Sequence, residues 1–87
     1  MNKQNVLELE GNFTWFWNDK FFIETTEGCF VWSDPSYYGS NELMEYTGSF
    51  ADYLNEIGES NDVRDMGGFN IKTYCGDNFR FVSSKHH

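Results

Sequence analysis

Alternating apolar and polar positions dominate the first third of the chain. Residues 12–17 place Phe13, Trp15 and Trp17 on one side of an extended strand, with Thr14 and Phe16 on the other. Asn18, Asp19 and Lys20 carry turn chemistry, and residues 21–26 read as a second strand. Glu27 and Gly28 read as a two-residue hairpin turn into a third strand over 29–33, which Asp34-Pro35 stops. Residues 6–10 alternate weakly and suggest an earlier, edge-like strand ending at Gly11. These turns set Trp15 opposite Ile23, and Ile23 opposite Trp32. One face then collects Phe13, Trp15, Trp17, Phe21, Ile23, Phe30 and Trp32, while Phe16, Phe22, Cys29 and Val31 share the mixed face.

Periodicity changes after residue 48. Phe50, Tyr53, Leu54 and Ile57 fall at i, i+3, i+4 and i+7, an apolar helical stripe over 50–57. Ser49 is a good N-cap, Asp52 sits where a capping box needs an acceptor, and Gly58 is a natural stop. A helix this short needs the sheet beneath it. Residues 41–46 suggest a short helical turn and 59–68 a polar loop. A last hairpin is expected from 69–75 and 79–82 around Gly76-Asp77-Asn78. The order ββββ-α-ββ or βββ-α-ββ makes an α+β domain with a mostly antiparallel sheet of five or six strands. It comprises an N-terminal meander, a C-terminal hairpin and one short helix packed on the sheet. The expected core is Phe13, Trp15, Ile23, Phe30, Trp32, Leu54, Ile57, Ile71 and Phe81.

The 87 residues suffice for one domain over 1–87. Aromatic side chains form 20% of them, enough to build a core without disulfides. No stretch nears the roughly 20 apolar residues of a membrane span, and charges at Glu8 and Glu10 exclude a signal-peptide apolar segment. A cytoplasmic protein is therefore expected, in the host cell if phage-encoded. Cys29 and Cys75 lack zinc-ligand spacing and read as two reduced, buried thiols.

Charge alters the picture most. Fourteen acids oppose six bases, for a net charge of −8. Residues 34–63 hold seven acids and no Lys or Arg. Such a field repels nucleic acid and anionic membranes and attracts basic surfaces. Catalytic chemistry finds little purchase. The two histidines, His86 and His87, end the chain like the remnant of a purification tag, so internal His-based dyads and metal sites are missing. An EF-hand reading of the stretch from Glu59 fails at Val63 and Arg64, and no phosphate-binding loop follows Gly67-Gly68. No enzyme activity, cofactor or metal is expected.

Asp52, Glu56 and Glu59 recur at i, i+4 and i+7 opposite the apolar stripe. They read either as a solvated face that aids solubility or as a surface that imitates a phosphate backbone. The candidate partner-binding residues are Glu42, Glu45, Asp52, Glu56, Glu59, Asp62 and Asp65, with Tyr37, Tyr38 and Tyr46 as rim anchors. Phe16, Phe22, Tyr37, Tyr38, Tyr46 and Tyr74 are harder to place inside. They suggest an alternative, an aromatic-lined module for carbohydrate or peptide.

In size, acidity and lack of catalytic residues, the chain resembles the small acidic inhibitors of bacteriophages, including DNA-mimic anti-restriction and anti-CRISPR proteins. That resemblance implies an inhibitor or regulator docking residues 34–65 on the basic surface of a protein partner, such as a member of a nucleic-acid-binding complex. It implies no direct contact with nucleic acid or membrane, and it is compatible with a homodimer.

Overall fold

The computed structural model describes residues 3–16, 20–33, 42–58, 63–76 and 79–82. Strands β1 (Glu10–Phe16), β2 (Lys20–Thr25) and β3 (Gly28–Ser33) form the expected antiparallel meander. Strands β4 (Glu42–Tyr46), β5 (Val63–Asn70) and β6 (Arg80–Val82) complete one sheet in the order β5-β1-β2-β3-β4-β6. Five of these strands run antiparallel to their neighbours, and β6 joins β4 in parallel. Three short helices accompany the sheet: α1 (Lys3–Leu7), α2 (Phe50–Ile57) and α3 (Ile71–Cys75).

The β2–β3 turn sits one position earlier than expected, at Thr26-Glu27. Thr25 Oγ1 stabilises it by donating to the Gly28 carbonyl at 2.7 Å and accepting from the Glu27 N–H at 3.1 Å. Gly28 closes it at φ +132°, where a side chain is strained. The β2–β3 register consequently shifts by two residues, and the β1–β2 register, set by the separate connection between Phe16 and Lys20, shifts by two as well. Trp15 lies opposite Phe21, and Ile23 opposite Phe13 and Phe30. A shift of two leaves every side chain on its face, so the partition into faces survives.

The faces carry separate cores. Phe13, Phe21, Ile23, Phe30, Trp32 and Leu43 pack on one side with Val6 of α1, Ile71 and Cys75 of α3, and Phe79. Phe16, Phe22, Val31 and Tyr46 pack on the other with Tyr53 of α2. The placement of α2 corrects the sequence expectation. It covers the mixed face, and α1 and α3 cover the face of Trp15 and Trp32. Four of the expected core residues, Trp15, Leu54, Ile57 and Phe81, are accordingly half-buried.

Further corrections concern single elements. The expected strand over 6–10 gives way to α1, whose Val6 is fully buried. The helical turn over 41–46 is strand β4, paired with β3. The C-terminal hairpin is absent: β5 begins at Val63, α3 replaces the strand over 71–75, and β6 pairs with β4. The cysteines lie on opposite faces as free thiols, Cys75 buried and Cys29 only half-buried.

Candidate functional site

The acidic face of α2 is built on a capping box. The Asp52 N–H donates to Ser49 Oγ at 3.2 Å, and the Ser49 N–H donates back to Asp52 Oδ2 at 2.9 Å. Gly58 ends the helix at φ +81°. Between these caps the apolar stripe turns Tyr53 into the core, and Asp52 and Glu56 remain exposed. No basic residue occurs along Phe50–Ile57, so nothing within the helix offsets the two carboxylates.

Tyr46 links this helix to the sheet. Its ring is buried against Phe22 and Tyr53, with centroids 5.9 and 5.3 Å away, and its Oη donates to Glu56 Oε1 at 3.2 Å. Burial first, then Glu56 and more weakly Asp52, hold the phenol above its ordinary pKa. The hydroxyl therefore stays a donor at neutral pH. A buried ring makes Tyr46 a core residue, which corrects its expected place as a rim anchor.

The other candidates divide. Glu42 and Glu45 are both partly exposed on β4. Glu45 lies opposite Phe30 and shares the α1–α3 face, whereas Glu42 alternates with it onto the α2 face. Asp65 is exposed on β5, separated from β4 by β1, β2 and β3. Its Oδ1 accepts the Gly67 N–H at 2.9 Å. The described acids of the segment thus do not form one cluster: Glu42, Asp52 and Glu56 share the α2 side, Glu45 lies on the other face, and Asp65, opposite Thr14, lies on the α2 side at the far edge of the sheet. Tyr37, Tyr38, Glu59 and Asp62 lie outside the described residues.

Four of the six aromatics behind the carbohydrate or peptide alternative are placed, and Tyr37 and Tyr38 lie outside the described residues. Phe16 and Phe22 are fully buried beneath α2, and Tyr74 is stacked on Phe13 at 4.7 Å. What sequence reasoning misses is β5. Val63, Met66 and Phe69 are 40%, 37% and 40% exposed, and Arg64 lies 5.4 Å over the Trp15 ring. Residues 59–68 look like a polar loop because their apolar positions are sparse and two glycines interrupt them. Only the exposed apolar residues within a nominal loop could have signalled an edge strand.

Among the described residues no cluster of three or more His, Cys, Asp or Glu is placed to hold a metal ion. Likewise, no helix there is long and apolar enough to cross a membrane. No protein-family model, curated protein or solved structure matches the chain.

Proposed function

We propose that the chain is a non-enzymatic binding protein, an inhibitor or regulator that sets the acidic side of α2 against a basic, nucleic-acid-binding surface of a partner protein. The observation that carries this reading is the exposed Asp52–Glu56 pair on a helix without a basic residue. Carboxylates one helical turn apart have Cβ atoms about 5–6 Å from each other. That is close to the phosphate spacing along one nucleic-acid strand, so Arg and Lys pockets shaped for phosphates accept them. Glu42, on the same side, extends the field. The activity is of the kind implied by the resemblance to acidic phage inhibitors.

The test removes charge without removing hydrogen bonds. Asp52→Asn and Glu56→Gln keep oxygen acceptors for the Ser49 N–H and the Tyr46 hydroxyl, and both carboxylate charges disappear. Affinity capture from a cell lysate should recover a basic nucleic-acid-binding protein at low salt and lose it at high salt. The doubly neutralised variant should recover far less of it at low salt, with its circular dichroism unchanged. Equal recovery by the variant and the wild type would return the acidic face to a solubility role.

A further inference from the structure

We propose that β5 is a self-association edge, through which two copies of the chain pair antiparallel about a two-fold axis and continue one sheet into the other. Every large apolar side chain that is exposed among the described residues, Val63, Met66 and Phe69, belongs to this one strand. It is an eight-residue strand at the end of the sheet. A long edge strand carrying apolar side chains is a template for strand addition.

The occupant follows from charge and register. In a chain of net charge −8, two copies meet most easily where the fewest acids come together; beside β5 these are Glu10, opposite Asn70 on β1, and Glu24 on β2, one and two strands in. Glu42 and Glu45 lie on β4, four strands from β5 and therefore about 19 Å away at ordinary strand spacing. Asp52 and Glu56 lie over the α2 face, where Glu56 accepts from Tyr46 of β4, four strands from the edge. The edge itself carries one acid and one base, Asp65 and Arg64.

A two-fold axis normal to the sheet continues each face into the same face of the second copy. In the register that pairs all eight residues, Met66 lies opposite Gly67 of the second copy, Asp65 opposite Gly68, Arg64 opposite Phe69 and Val63 opposite Asn70. In an unbroken strand this register would oppose side chains of different faces. Here the bulge between the Phe13–Gly67 and Thr14–Asp65 pairs inserts Met66 and corrects the parity. Arg64 and Phe69 then share the α1–α3 face, and Val63, Asp65, Gly68 and Asn70 share the α2 face. Met66 and Asp65 each meet a glycine, and Arg64 meets an aromatic ring, a favourable cation–π partner. The amide at the bulge is already satisfied within the strand, since Asp65 Oδ1 holds the Gly67 N–H.

Sedimentation of the whole chain across the micromolar to millimolar range should show a monomer–dimer equilibrium. Met66→Lys, which sets two like charges beside the axis, should weaken dimerisation at least about tenfold. The control Glu45→Lys, four strands from the edge, should not weaken it. Hydrogen exchange of the wild type should show amides of 63–70 gaining protection as concentration rises, a readout that survives any misfolding of the variant. A monomer at every concentration, a dimer indifferent to Met66→Lys, or concentration-dependent protection confined to other segments would overturn the proposal. So would capture of a different protein's strand by β5 while the chain alone stays monomeric.

Discussion

Single atoms decide how tightly the two faces are built. A Cβ at Gly11 would sit 2.6 Å from the Glu24 carbonyl oxygen and 2.8 Å from Thr25 Cγ2. The obstacle is backbone and cannot swing away. Gly11→Ala should therefore lower stability by about 1–3 kcal/mol, read as a lower urea midpoint with an unchanged slope. Cys75 offers a second check. Burial pushes its thiol up to about 12 from the ordinary 9.0. The unfolded chain releases this proton near pH 9, and the folded chain keeps it. The associated stability is whole below pH 9 and is lost as pH rises toward about 12. Native Cys75 should also resist alkylation at mildly alkaline pH until the protein is unfolded. Urea titrations at stepped pH would refute the burial of Cys75 if Cys75→Ala left the alkaline decline unchanged.

At the scale of elements, α2 follows its local code most closely. Its stripe, N-cap, capping box and terminal glycine all agree, and the observed Phe50–Ile57 matches the expected bounds. Ser49→Ala removes the acceptor for the Asp52 N–H and should lower stability by about 1 kcal/mol in thermal or chemical unfolding. Where the apolar pattern was ambiguous, a local cap decided one case and strand pairing the other. Residues 71–75 place Ile71 and Cys75 four apart, which fits a helix face, and with Thr73 between them they also fit a strand. Asn70 settles it, since its Oδ1 accepts the Thr73 N–H at 2.8 Å and caps a helical turn. Glu42, Leu43, Met44 and Glu45 are good helix formers, yet pairing with β3 holds them extended. The face partition was legible because alternation survives a two-residue slip. Which helix covers which face was not, because two amphipathic faces of one sheet look alike in sequence. At the candidate site, Asp52 and Glu56 were legible as an outward pair from helical spacing alone. The burial of Tyr46 and the separation of Asp65 depend on strand order, which no local pattern encodes.

At the scale of the molecule, charge gives stability and binding opposite responses to salt. With eight excess negative charges on 87 residues, the average interaction between charges is repulsive, and folding brings charges closer together than they are in the unfolded chain. Unfolding separates them, so part of the driving force for unfolding is electrostatic. Raising ionic strength from about 0.01 to 0.1 M shortens the screening length from about 30 to 10 Å, below the span of the molecule. The melting temperature should therefore rise with added sodium chloride. Edge-to-edge association through β5 should strengthen over the same range, because screening relieves repulsion between two negative copies and leaves apolar contact intact. Docking on a basic partner should weaken, because screening removes the attraction that drives it. Melting, sedimentation and partner capture measured over one salt series separate these effects. A melting temperature that fell with salt would mean that favourable ion pairs outweigh the net repulsion, and the acidic surface would then have to be read as a compensated network instead of an open field.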